Sequence, residues 1–481
     1  MSYVLAIDFG TSGCRSAVYN ARLEMLSSAI EEYPLILHSE TEIEQDADLW
    51  WEKAKQTIRA AVAASGVPTS EICALSISSQ GIAFVPIDRS GRTLFHAISW
   101  LDTRADAETE ALAARYGMQA LYTRTGKRLS GVYTLPKLIW FRNHHPDVYE
   151  AAWKILLPLD FIQFRLSGRC VTDHTIAGGT MFYDVSEQAW DQALLQENGL
   201  DVQKLPEIAW AGTPVGTILP EVADELGLSR ETLIVNGAQD QKCAAYGAGA
   251  AEDVAAISLG TGSCLAQISS APAADPSMRV PFFSYVRDGQ WDLEGVINTA
   301  GSAYSWFRQN FAPQLSFQQL NDAAAAVPAP NPVLFFPYLS GVSSPNWGNG
   351  TGTFTGLSLS STTGHMARAV MEGIAFNIRE NLEAMQAVCG PARELRLYGG
   401  GSKSDLWCQI IADVTNIPVA RLVSSETALA GAAMLAYHPL GVQTSASLSC
   451  AQRFAPDAQQ AAAYQAAYEH YESIRQKYFS E

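Results

Sequence analysis

The chain opens on an apolar run, residues 3–7, that stops at Asp8-Phe9-Gly10-Thr11-Ser12-Gly13 and resumes as an alternating stretch over residues 14–19. An apolar run bounded by glycines and followed by alternation predicts strand, tight loop, strand. Asp46 stands where a helix cap belongs, ahead of Trp50, Ala54, Ile58, Ala61 and Val62 at helical spacing, and Gly66 and Pro68 supply the stop. Strand-like residues 74–78, a loop at Ser79-Gln80-Gly81, strand-like residues 83–87 and a turn at Asp88-Arg89-Ser90-Gly91 follow. Strands alternating with helices predict an α/β class.

The opening pattern returns half a chain later. Ser258-Leu259-Gly260-Thr261-Gly262-Ser263-Cys264 echoes residues 8–14, again after an apolar strand and before another. A duplicated domain produces such an echo. A length of 481 residues agrees, being long for one core and suited to two domains with a cleft between them. The expected division is residues 1–250 and 251–481, with an Ala/Gln-rich terminal surface helix over residues 459–481.

Composition narrows the partners. Hydrophobic residues make up 48% and charged residues 17%, enough apolar material for two cores. The formal charge of −17, with scattered rather than clustered basic residues, argues against nucleic acid and anionic membrane and suits a small neutral substrate. No basic region precedes the first apolar run, and no stretch reaches the ~18 apolar residues of a membrane span, so a cytoplasmic protein is expected. The 8 cysteines form no C-x-x-C pair, which predicts reduced, mostly buried thiols rather than a disulfide framework or zinc site.

Chemistry enters at four places. The two Gly-Thr hairpins can cradle phosphate oxygens with backbone N–H groups and threonine hydroxyls, although one such loop alone is equally a tight turn. Asp8, at the end of a buried strand, has the hard oxygen that magnesium prefers. Residues 233–242 read as a buried strand, a short glycine loop at Asn236-Gly237 and a helix opening at or near Asp240. Asp240 is there either an N-cap or the general base that phosphoryl transfer to an alcohol requires. Glu394-Leu395-Arg396-Leu397-Tyr398, Gly399-Gly400-Gly401-Ser402-Lys403-Ser404 and residues 406–416 read as strand, glycine loop and helix, presenting a helix N-terminus to an anion or nucleotide. No Walker A or dinucleotide fingerprint occurs.

These residues resemble the FGGY carbohydrate kinases, a branch of the actin, Hsp70 and sugar-kinase superfamily. The likeness runs from Asp8 to about Tyr437. It is most specific at Gly352-Thr353-Phe354-Thr355-Gly356-Leu357, His365-Met366 and Ala369-Val370-Met371-Glu372, and is supported by Lys137-Leu138-Ile139-Trp140-Phe141-Arg142-Asn143-His144 and Phe336-Pro337-Tyr338-Leu339-Ser340-Gly341. It implies two ribonuclease-H-like domains with an interdomain cleft holding ATP and sugar, a magnesium ion, and a homodimer. By resemblance Asp240 is the catalytic base and Asp8 serves the metal. Thr11, Ser12, Arg15, Gly260, Thr261 and Gly301 line the phosphate path, and Gly400, Gly401 and Ser404 meet the adenosine end.

Substrate positions depart from the better-known members. Gly81-Ile82 follows Gln80 where glycerol kinases carry Arg-Glu and xylulokinases Met-His, and Val342-Ser343 replaces the usual Glu-Arg after Ser340-Gly341. Gln80, Gly81, Trp100, Asp102, Asn298 and Gln241 are the candidate sugar contacts, and a ketose such as a pentulose or hexulose is the expected substrate. Lys242, Lys127, Arg128 and Arg104 would serve a sugar acid instead, although solvation is the ordinary fate of such side chains. A nucleotide-driven switch would want an added peptide-binding domain or polymer interface, and a silent sugar sensor a basic helix-turn-helix; neither pattern is found. His144, His145 and His174 lack metal-ligand spacing and read as surface or satisfied histidines.

Overall fold

The computed structural model describes residues 2–272, 274–444 and 449–479; Met1 and the last two residues of the expected terminal helix lie outside them. The chain forms two units, one of residues 1–247, 283–291 and 426–447, the other of residues 248–282, 292–425 and 448–481.

In the first unit the expected strand-loop-strand is β1 (Tyr3–Phe9) and β2 (Gly13–Tyr19), extended by β3 (Met25–Glu32). Two short strands, β4 (Ile36–Leu37) and β5 (Ile43–Gln45), precede α1 (Ala47–Ser65), which Asp46 caps by accepting from the Asp48 and Leu49 N–H groups and Gly66 ends in a left-handed turn. Then come β6 (Ile72–Ser79), β7 (Ala97–Ile98), β8 (Pro214–Thr217), β9 (Leu233–Gln239) and α2 (Asp240–Ala248). The main sheet has the order β8-β9-β6-β1-β2-β3, with β1, β6 and β9 parallel and β2, β3 and β8 antiparallel to their neighbours. Trp50, Ala54, Ile58 and Ala61 of α1 are fully buried against this sheet, in a cluster with Leu5, Ile7, Phe9 and Phe161.

The second unit repeats that wiring. Strands β10 (Val254–Ser258), β11 (Ser263–Ser269), β12 (Trp291–Ile297), β13 (Glu394–Tyr398), β14 (Val419–Leu422) and β15 (Cys450–Phe454) lie in the order β12-β11-β10-β13-β14-β15. In each sheet a hairpin opens the unit, and its first strand pairs in parallel with a later strand that in turn pairs with a parallel one. The echo of short motifs is therefore a duplication of topology.

Three expectations need correction. The chain does not divide into two consecutive blocks, because the late helix Thr427–Tyr437 packs against β1, β6 and β9 of the first unit. Its Ala- and Leu-rich sequence is apolar all round, and such a helix must be buried on every side. The close approach is built from glycine: a Cβ on Gly431 would stand 2.0 Å from the Cys243 carbonyl oxygen, and one on Gly247 2.2 Å from that of Thr427. Second, residues 236–237 are strand, not loop. Third, of the free cysteines three are buried, four half-buried and Cys450 exposed.

Asp160 lies fully buried, its Oδ2 accepting from the Leu157 N–H at 2.9 Å, and burial pushes its carboxyl up to about 8. A carboxyl that keeps its proton longer folded than unfolded contributes stability that is fully present below 3.8 and is lost as pH rises through about 8. The loss is about 1.4 kcal/mol per pH unit while the two states differ by one proton. Asp160→Asn keeps the acceptor and removes the ionisation, so its Tm relative to wild type should climb between pH 5 and pH 8. Parallel curves would show that Asp160 does not titrate in this way.

Candidate active site

Parallel strands β9, β6 and β1 lie side by side and present their carboxyl ends together: Gln239 pairs with Ser79, and Ser79 with Phe9. Ligands of open α/β sheets bind beyond such strand ends. Asp240, Gln80 and Gly10 are the next residues of the three strands.

Asp240 is half-buried at the first position of α2. The side chain that caps this helix is Gln239, whose Oε1 accepts from the N–H groups of Gln241 at 3.0 Å and Lys242 at 3.3 Å, the i+2 and i+3 pattern of an N-cap. Asp240 takes the adjacent Gln241 N–H at 2.7 Å and the Gln239 amide on the same oxygen, Oδ1. The N-cap reading of Asp240 thus passes to its neighbour.

Gln80 is 2% exposed, donates to Gln45 Oε1 at 3.3 Å, and leaves its own buried Oε1 without a partner. An orphaned buried acceptor costs about 1–3 kcal/mol, a cost that a bound hydroxyl would relieve. A Cβ on Gly81 would rest 3.4 Å from the Gln239 side chain, so this position borders the same space. Ile82 has φ 73°, a left-handed conformation costly for a β-branched residue, and its carbonyl accepts from Thr134 Oγ1 at 2.7 Å.

The first hairpin is tied down on three sides. Gln45 Nε2 donates to the Thr11 carbonyl at 2.7 Å, Trp100 Nε1 to Thr11 Oγ1 at 2.8 Å, and the N–H of Tyr33 to the Ser12 carbonyl at 3.0 Å. Asp8 accepts from Ser78 Oγ at 2.7 Å; burial raises its carboxyl pKa, partly offset by that bond, and a bound cation would offset it further. Arg15, opposite Asp8 in the β1–β2 pair, is ion-paired with Glu426.

Other expected contacts are placed differently. Asp102 is fully buried with Oδ2 taken by the Ile43 N–H and Arg104 and Oδ1 by the Arg104 N–H, so it anchors strand β5. Asn298 belongs to the second unit, where it is exposed and donates to the Ser340 carbonyl at 3.1 Å. Three of the four basic candidates are not solvated: Lys127 and Lys242, 0% and 2% exposed, stand 4.5 and 3.7 Å from the Phe283 ring centre, and the Arg104 side chain is buried between Asp102 and Glu44, whereas Arg128 is half-buried. Ring quadrupoles and carboxylates replace the lost water. His174 is a satisfied core histidine, stacked on Trp210 and bonded to the Tyr183 hydroxyl at 2.7 Å, and burial lowers its pKa to about 4.

In the second unit, Gly260, Thr261, Gly301, Gly400, Gly401 and Ser404 line one cavity of about 740 Å³, together with Tyr304, Phe317 and Trp407. The second hairpin sits on the start of α3 (Gly301–Phe311), the Gly301 N–H donating to the Gly260 carbonyl at 2.7 Å and Ser302 to that of Thr261. Ser404 caps the helix Asp405–Thr415, and Gly401 donates to the Leu259 carbonyl at 2.8 Å. Glycine loops beneath an aromatic wall suit a nucleotide. Sequence reading missed Gln45, Ser78, Gln239 and Glu426. Within the long signature motif, Glu372 is a packing residue, buried with Arg368 and Tyr464.

The sequence matches the FGGY family of carbohydrate kinases, N-terminal domain over residues 3–247 and C-terminal domain over residues 255–439. It is 30% identical to a xylulose kinase of Bacillus subtilis (strain 168), over 98% of this chain and 97% of that one. Among solved structures, a ligand-bound xylulose kinase and a gluconate kinase, both from Lactobacillus acidophilus, each superpose with a TM-score of 0.93 at 27% identity, covering 99% of this chain and 98% of theirs. Among the described residues no helix is long and apolar enough to cross a membrane.

Proposed function

The chain belongs to the FGGY family of carbohydrate kinases and is an ATP-dependent sugar kinase, and from that premise we propose that its acceptor is a pentulose of the xylulose kind, activated by Asp240. The observation that carries the assignment is that Asp240 and Gln80 follow the paired strand ends Gln239 and Ser79, with helix capping delegated to Gln239.

Asp240 accepts the proton of the attacking hydroxyl while that oxygen bonds to the γ-phosphorus and the bond to ADP breaks, leaving a sugar phosphate, ADP and a proton. Gln80 receives a second substrate hydroxyl and so orients the first. In the first unit the Gly10–Ser12 backbone and the Thr11 hydroxyl suit phosphate oxygens. In the second unit the cavity under Trp407 suits the adenosine end. The Asp8 carboxylate suits Mg2+, which when bound would offset phosphate charge.

Gly81-Ile82 offers no charged group to a three-carbon polyol, so glycerol would leave buried acceptors unpaired. Each costs about 1–3 kcal/mol, so kcat/KM for glycerol should fall roughly 5- to 150-fold below that for xylulose. Coupled ADP release over xylulose, other ketoses, glycerol and gluconate tests this. Glycerol as the best substrate would refute the reading of positions 80–82. Gluconate as the best would move specificity to the buried pair Lys127 and Lys242.

A further inference from the structure

Strand β5 is the middle of a small antiparallel sheet, β4-β5-β7, and its alternating side chains face two different places. Gln45 points to Thr11 and Gln80, as described above. Glu44 points the other way, with His38 just beyond β4 and His96 just before β7. Register accounts for the grouping: Glu44 pairs with Ile36 and Ile98, and His38 and His96 lie two residues from those partners, on the same face.

We propose that His38, Glu44 and His96 form a site for Zn2+ or a similar borderline transition-metal ion, separate from the phosphate-transfer chemistry. Glu44 Oε2 lies 3.1 Å from His38 Nε2 and 3.3 Å from His96 Nδ1, and the three ligating atoms fall within 4.8 Å of one another. A tetrahedral zinc with bonds of ~2.0–2.1 Å has ligand-to-ligand edges of ~3.3 Å, so a small inward turn of two half-exposed imidazoles completes three corners and leaves the fourth to water. The carboxylate is already oriented: its other oxygen, Oε1, accepts from Arg104 at 3.0 Å, and Arg104 is in turn held by Asp102. Hydrogen bonds of this kind hold a metal-binding carboxylate in its orientation. The Glu44 carboxylate, its side chain 5% exposed, itself offers a negative ligand to a cation. Two imidazole nitrogens select zinc-like ions over Mg2+, which prefers oxygen.

Because β5 also holds the first hairpin through Gln45, a metal that fixes Glu44 braces the phosphate loop from behind. Calorimetric titration of the ATP-free full-length protein with Zn2+ tests the site. One saturable site per chain is expected in wild type and in Cys450→Ser, the latter excluding the exposed thiol. Binding should weaken at least tenfold in His38→Ala and in His96→Ala, and vanish in the double variant. X-ray absorption of the loaded protein should show nitrogen and oxygen neighbours alone. No saturable binding, binding unchanged in the double variant, sulfur in the zinc shell, or equal histidine-dependent binding of Mg2+ would each overturn the proposal.

Discussion

Asp240→Asn is expected to lower kcat for the sugar by about 10²- to 10⁴-fold, the usual loss when a general base is removed. The fold should not register the change. Asparagine keeps the size of the side chain and an oxygen for the Gln241 N–H, and the capping bonds of α2 come from Gln239. KM for ATP should stay close to wild type, since the cavity proposed for adenosine is lined by residues of the second unit. A variant with wild-type turnover would remove Asp240 from the chemistry. One with low turnover and a Tm lower by many degrees would return it to a structural role.

Gly237→Ala is expected to be the most damaging single methyl in β9, the strand that leads to Asp240. Pairing of β9 with β6 shifts register between Val235 and Ala238, and the shift brings the Gly237 backbone directly onto β6. A Cβ there would stand 1.7 Å from the Ile77 carbonyl oxygen, 2.7 Å from its carbon and 2.9 Å from Leu159 Cδ1. None of these can retreat: Ile77 is a central strand residue paired with β1 on its other side. Destabilisation of about 3 kcal/mol or more follows, at or beyond the upper end usual for overpacking a core. Gly66→Ala is the matched control, because Gly66 has φ 68° but nothing within 4 Å of its Cβ position, and should cost only about 1 kcal/mol. Equal losses of Tm in the two variants would contradict this account of Gly237.

The contrast between those glycines shows what the sequence could tell. The hairpins, the Asp46 cap, the stop at Gly66 and the strand-loop-helix at residues 394–416 rest on chemistry local to each motif, and all were legible. The duplication was legible because two copies of one loop are improbable by chance. Gly237 read as a loop because an isolated sequence does not say which backbone lies across from it. Lys127 and Lys242 read as solvated for a similar reason: the ring that makes their burial tolerable, Phe283, is remote in sequence. Thr427–Tyr437 carried its own warning in being apolar on every face, yet nothing local said which sheet it covers. Gln239 was hidden by Asp240, the likelier cap by residue type alone, and only hydrogen-bond geometry separates their duties.

The fate of the γ-phosphoryl group tests the central claim most directly. In ³¹P NMR of wild type with ATP, Mg2+ and xylulose, the γ signal should pass one-for-one into a sugar phosphomonoester as ADP appears, and should stay in ATP when the sugar is omitted. Release of inorganic phosphate without ester, or transfer to glycerol or gluconate but not to xylulose, would contradict it.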